Sequence, residues 1–227
     1  MYRYETHLHT FPVSRCARAG VEESLRFYAQ MGYAGVFITN HFLDGNINLD
    51  GQLPYEEAIE FYFSDYEQGC TLAEKLGIQV FLGVEISYLG TDFLIYGLDK
   101  AWFLAHPEIM GMDKRQELRF MMDQGALVIQ AHPYREAPYI DHIRLYPRDV
   151  HGVEVINASL GDIPNCMAAL YAQQYRLLTT AGSDNHQAGA CPRLAGLRCQ
   201  EPLSDIQDFI QKVKDRQMEI FTLDLST

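Results

Sequence analysis

Short apolar runs alternate with amphipathic stretches along nearly the whole chain. The runs predict strands over 2–9, 34–39, 78–84, 93–98, 126–131, 152–156, 178–181 and 219–223. Several are continuously apolar, as in Val80-Phe81-Leu82-Gly83-Val84, which suits strands covered on both faces. Between the runs, 22–31 places Leu25, Tyr28 and Ala29 on one helical face, with Gly32 positioned to end it. Pro54 opens a longer helical pattern that Gly77 closes. Asp113 and Gln116 resemble a capping box for a helix ending at Gly125, and Ser204 is a fitting N-cap for 205–217. Repeated strand–helix alternation of this kind predicts an α/β fold with a mainly parallel sheet, open or closed into a barrel. No repeat, low-complexity tract or flexible linker interrupts it, so 1–227 reads as one domain.

Composition adds limits. With 227 residues, 48% hydrophobic and 21% charged, the chain has the make-up of a globular protein with a substantial core. Its formal net charge of −12, with no run of Lys or Arg, disfavours long nucleic acids as partners. It does not disfavour small anions, because bound metals would reverse the potential locally. The sequence shows no apolar leader and no run of membrane-spanning length. Cys16, Cys70, Cys166, Cys191 and Cys199 are scattered, odd in number and without a Cys-x-x-Cys pair, which favours free thiols in a reducing compartment. The cytoplasm is the expected location.

The informative feature is where polar residues fall against this pattern. His7 and His9 end the first predicted strand, His41 follows the second, Glu85 ends the third and His132 ends the fifth. Asp184 and His186 follow the seventh. In a parallel barrel the C-terminal strand ends converge on one mouth, where such folds place their chemistry. His-x-His on a strand directs both imidazoles to the same face, because side chains alternate with period two. Imidazoles with carboxylates suit Zn, Mn or Fe, and Glu85 could bridge two ions. Taken singly, each residue has an ordinary reading: a loop histidine, a buried ion pair, a helix cap. Five coincidences at one barrel end would be needed for all of them to hold. His142 and His151 read as surface residues and His106 as a loop residue.

The segments His7-Leu8-His9-Thr10, Ile38-Thr39-Asn40-His41, Gly83-Val84-Glu85-Ile86, Ala131-His132-Pro133 and Gly182-Ser183-Asp184-Asn185-His186 resemble the successive motifs of the PHP (polymerase and histidinol phosphatase) superfamily. The resemblance spans nearly the whole chain in the correct order. It implies a distorted (β/α)7 TIM-like barrel holding two or three divalent metal ions and, usually, phosphoester hydrolysis. Carried over, it places His7, His9, Glu85 and Asp184 around one metal. Glu85 then bridges to a second that takes His132, and His41 and His186 hold a third. Two departures stand out. Members often carry Asp or His shortly after the His-x-His motif, and 11–16 here offers no obvious equivalent. The strand over 93–98 often begins with a ligand His, where this chain offers Asp92.

The function expected is hydrolysis of a small phosphorylated metabolite, a phosphomonoester or small diester, by a metal-activated water. His7, His9, Glu85, His132, Asp184 and His186 would carry the catalysis. Arg15, Arg135 and Arg193 could bind the substrate phosphate through their planar forks of donors, and Asn157 could line the same mouth. Two rival readings keep the metals: an amidohydrolase acting on a C–N bond, and a non-catalytic metal-stabilised binding module. A polymerase-linked nuclease is disfavoured, since no polymerase domain or basic track accompanies the motifs.

Overall fold

A computed structural model describes residues 1–51 and 53–225. Strand β1 (Tyr2–Leu8) leads through α1 (Val21–Gln30) to β2 (Gly35–Ile38), and the long helix α2 (Tyr55–Leu76) leads to β3 (Gln79–Tyr88). Next come β4 (Thr91–Tyr96), α3 (Lys100–Ala105), a 3-10 turn at Pro107–Gly111, α4 (Lys114–Asp123) and β5 (Leu127–Gln130). Then β6 (Gly152–Asn157), α5 (Asp162–Tyr175), β7 (Leu178–Gly182), β8 (Arg193–Cys199), α6 (Ile206–Lys214) and β9 (Glu219–Asp224) complete the order.

Local chemistry sets the helix ends. Gly77 adopts the left-handed conformation (φ 65°) that terminates α2. The Asp113 side chain accepts from the N–H groups of Arg115 and Gln116 and so starts α4. At α6 the cap is Asp205, which accepts from Asp208 N at 2.8 Å, and not Ser204 as expected. That helix stops at Lys214, short of the expected 217, and Arg216 turns the chain at φ 56°.

The strands lie in one sheet in the order β7-β6-β5-β4-β3-β2-β1-β8-β9. The runs β1-β2-β3 and β5-β6-β7 are parallel, but β4 is antiparallel to both of its neighbours. The sheet curls until the segment after β7 meets β1: His9 N donates to Asn185 O (3.0 Å), and Thr6 Oγ1 to Ala181 O (2.6 Å). The result is a nearly closed, distorted TIM-like barrel. Two strand readings need correction. β3 runs on to Tyr88, because Leu89 and Gly90, both at positive φ, form the tight turn of a β3–β4 hairpin. Glu85 therefore sits within the strand, opposite Leu94, and not at its end. The run near 219 pairs outside the barrel, against the unexpected strand β8, which itself pairs with β1.

Helices α2 to α5 cover the outside of the sheet. Ile59, Tyr62, Phe103, Leu118 and Tyr171 cluster there with Val84, Ile86, Val128 and Val153. Tyr4, Phe37, Phe81, Tyr96 and Ile129, one from each of five adjacent strands, pack together with Phe209 and Ile210 of α6. Five neighbouring strands can share a cluster only on the concave side. This is the lumen, and α6 closes its lower end. The Phe209 ring centroid lies 4.3 Å from that of Phe37 and 5.2 Å from that of Tyr96. The upper half of the lumen is polar.

Candidate metal centre

A bulge aims the first motif into the lumen. Tyr4 faces Gly35 and Leu8 faces Ile38, so β1 spends one residue more than β2 over this stretch. Both Tyr4 and His7 can then point inward, while Glu5 turns away. The Glu5 carboxylate accepts the N–H groups of His7 (2.9 Å) and Ser183 (2.8 Å), which pins the bulge. Opposite, β7 ends in Gly182, where a Cβ would lie 2.5 Å from His7 Cβ and 2.8 Å from Glu154 Oε1. Only glycine leaves room for the imidazole and its carboxylate partner. His132 (φ 26°) and Asp184 (φ 52°) both take left-handed backbone conformations just beyond their strands, which turns their side chains toward the same point.

The seven residues singled out by their positions in the sequence converge. His7 Nε2 lies 3.1 Å from Glu85 Oε1, and His9 Nε2 lies 3.4 Å from Glu85 Oε2. His41 Nδ1 lies 2.7 Å from Glu85 Oε2, and His132 Nε2 lies 3.5 Å from Glu85 Oε1. Asp184 Oδ1 stands 3.3 Å from His9 Nε2 and 3.5 Å from His186 Nδ1. Within the cluster, ligand-type atoms gather as His7–His9–Asp184, as His7–Glu85–His132 and as His9–His41–His186, each set within 4.8 Å.

Hydrogen bonds behind the cluster fix the tautomers. His7 Nδ1 donates to Glu154 Oε1 (2.9 Å), and Glu154 Oε2 accepts from His132 N (3.1 Å) and Asn157 Nδ2 (2.9 Å). His9 Nδ1 donates to Ser14 Oγ (3.1 Å), whose own proton goes to Asn40 Oδ1 (2.9 Å). Asn40 Nδ2 and Thr10 Oγ1 in turn donate to Asp65 of α2 (3.1 and 2.7 Å). His186 Nδ1 donates to the Asp184 carbonyl (2.9 Å). Each of these imidazoles therefore turns its Nε2 lone pair inward. His7 Nε2 and His9 Nε2 stand only 3.2 Å apart. At that distance the two nitrogens need a proton or a metal cation between them.

Orphaned atoms point the same way. Both Glu85 oxygens and His132 Nε2 are buried without a hydrogen-bond partner, an arrangement that is costly unless a cation neutralises it. Burial opposes charge on His7, yet Glu154, Asp184 and Glu85 hold its pKa well above the usual range. Burial would raise the pKa of Glu85, but His41, His7 and His9 hold it well below. The pocket is built for positive charge. Donor edges of 3.1–3.5 Å also match donors about 2.1 Å from a shared centre. The residues fit divalent metal ions.

A cavity of about 500 Å³ opens above the cluster, with Cys16, His41, Asp92, Arg135, Tyr139 and His186 among its lining residues. Asp92 stands at the rim, 3.8 Å from His132 Nε2. Arg135 faces the cavity, with its guanidinium 3.4 Å from Asp184. The other substrate candidates lie differently. Arg15 is turned to Leu49 O and Asp50, and Arg193 to Leu160 O and Asp162. Asn157 is buried and holds Glu154 and Asp184 (3.3 Å) rather than facing the opening. His142 is exposed, but His151 is half-buried and accepts from Val128 N, so it is not a surface residue. A larger surface groove beside Tyr134, Met167 and Tyr175 contains no ligand-type cluster among the described residues. Sequence reasoning missed Glu154, Ser14 and Asp65. Glu154 did leave a signal, as the sole charged residue of the otherwise largely apolar β6.

No family model matches the sequence, and no curated protein matches it. Among solved structures, the chain is similar to a two-domain protein from Bacteroides vulgatus that contains a predicted PHP-like metal-dependent phosphoesterase. That likeness has a TM-score of 0.67 at 17% identity over 97% of this chain, which spans 64% of the length of that protein. PsfC from Pseudomonas syringae aligns over 100% of this chain and 93% of its own, with a TM-score of 0.58 at 15% identity. An amidohydrolase from Chromobacterium violaceum, seen with bound sulfate and no metal, aligns over 98% of each chain, with a TM-score of 0.55 at 14% identity. At these identities the likeness is one of fold, and that fold is the PHP-type barrel.

Proposed function

We propose that this chain is a metal-dependent phosphoesterase that hydrolyses a small phosphorylated metabolite, a monoester or small diester. One observation carries the reading: inward-facing imidazole lone pairs and the orphaned Glu85 carboxylate are gathered against His41 and His186, which line a cavity whose wall also carries Arg135. Divalent ions there, Zn, Mn or Fe, would supply Lewis acidity and a water ionised near neutral pH. His7, His9, Glu85, His132 and Asp184 would hold two of them. His41 and His186 would contribute to a third.

The chain's own residues do the rest. Arg135 presents a planar fork to non-bridging phosphoryl oxygens, and its 3.4 Å contact with Asp184 keeps that fork over the cluster. Glu154, Ser14 and Asn157 hold the inner side chains in one orientation, so the site is organised before substrate arrives. The cavity admits a metabolite and not a folded nucleic acid, in keeping with a net charge of −12. The reading takes the chain as a single domain acting in the cytoplasm.

A C–N hydrolase is the second reading, favoured by the fold shared with an amidohydrolase. Metal-loaded protein offered p-nitrophenyl phosphate, bis-p-nitrophenyl phosphate and a panel of amides separates the two. Phosphate release is expected, falling to background in His9→Ala and His132→Ala. Amide turnover alone would establish the second reading. Inertness on every substrate would leave a metal-stabilised binding module.

A further inference from the structure

The turn after β1 brings one more ligand-type side chain to the cavity. Cys16 lines the same wall as His41 and His186. The turn is tied on both sides: Arg18 N donates to His186 O (2.7 Å), Arg15 N to Asn46 O (3.0 Å), and His41 N to Ser14 Oγ (3.1 Å). The thiol is thereby held between the two segments that deliver those imidazoles. The rings of His9 and His186 stand 4.3 Å apart, and those of His9 and His41 4.4 Å apart. Beside them Glu85 Oε2, buried and without a hydrogen-bond partner, points at His41 Nδ1 from 2.7 Å. Three neutral imidazoles bring no charge of their own to a cation, and an anionic sulfur at the rim would.

We infer that Cys16 completes the His9–His41–His186 cluster as a thiolate donor, so that this position takes a zinc-like cation in preference to magnesium or manganese. The inference rests on reading the cluster as a metal centre. Binding forms one sulfur–metal bond and releases the thiol proton to solvent, with no change of oxidation state. Sulfur selects against hard cations, and imidazole with thiolate is the donor set of zinc. The other cysteines do not compete: Cys70 and Cys166 are exposed on α2 and α5, and neither Cys191 nor Cys199 lines the cavity.

Cobalt(II) titration of the metal-stripped full chain tests this. A near-ultraviolet sulfur-to-cobalt charge-transfer band is expected as the last equivalent binds, and it should vanish in Cys16→Ser and Cys16→Ala. Each variant should bind one ion fewer per chain. In the wild-type protein, zinc should protect Cys16 from alkylation, read site by site by mass spectrometry, and magnesium and manganese should not. Visible d–d bands without the charge-transfer band, or a band that persists in both variants, would overturn the role of Cys16 and leave the metal centre standing. No cobalt binding at all would overturn the metal centre as well. The wild-type spectrum and the alkylation pattern remain decisive even if a variant fails to fold.

Discussion

Glu154 serves the centre without facing its cavity. One oxygen takes the His7 proton, and the other takes the His132 amide and the Asn157 amide. In Glu154→Gln one of those acceptors becomes a donor, so an N–H of His7 or His132 meets another N–H. The variant should bind metal about 10- to 100-fold more weakly, as measured by competition with a chromogenic chelator. Its circular dichroism should stay that of the wild-type protein. The residues of the cluster were legible in the sequence because histidine and acid types recur at or near strand ends in fixed spacings. Those behind them were not, because a lone glutamate in a strand or a serine in a turn looks the same whether or not an imidazole leans on it. Cys16 falls between these cases, since its chemistry was plain but its neighbours are set by the folding of the first loop.

Among the elements, the strands with continuous apolar runs were predicted to within two residues, β3 excepted, and those whose faces differ were not. Strand β8 carries Arg193 and Arg198 near its ends and Gly196 in its middle, a weak pattern. The glycine is required there, because a Cβ would collide with the Tyr4 carbonyl. Helix α5 leaves Ile163, Met167 and Leu170 exposed, which blurs the amphipathic signal that would mark a helix. The antiparallel hairpin of β3 and β4 was hidden because a buried strand reads the same in either direction. The β5–β6 junction carries a pH effect. His151 Nδ1 accepts from Val128 N at 3.2 Å, and burial together with Lys214 lowers its pKa. The unfolded chain then binds the proton more readily than the folded one, so this stability is present above the ordinary histidine pKa. It is lost as pH falls below about 6.5. Urea unfolding at pH 7.5 and pH 5 should show His151→Asn losing less stability than wild type between the two.

For the whole molecule, a metal-loaded centre would act as a clasp. Its side chains come from β1, the end of β2, β3 and the turns after β5 and β7, so ions held there tie both halves of the sheet together. Binding to the native state alone adds about 4 kcal/mol when free metal exceeds its dissociation constant a thousandfold. For a chain of this size that is on the order of 10 °C in Tm. Calorimetry before and after chelation should show a fall of that order, reversed by adding zinc. In Glu85→Gln the dependence should shrink, because the carboxylate nearest the imidazoles loses its charge.

Phe209 has a consequence beyond packing. This ring and its aromatic neighbours fill the lower lumen, so the cluster faces solvent from the Arg135 side. Whatever reaches the cluster arrives past Arg135 and must depart by the same way. On the proposed reaction, a newly freed anion would hold the doorway until it diffused out, and the next molecule would wait behind it.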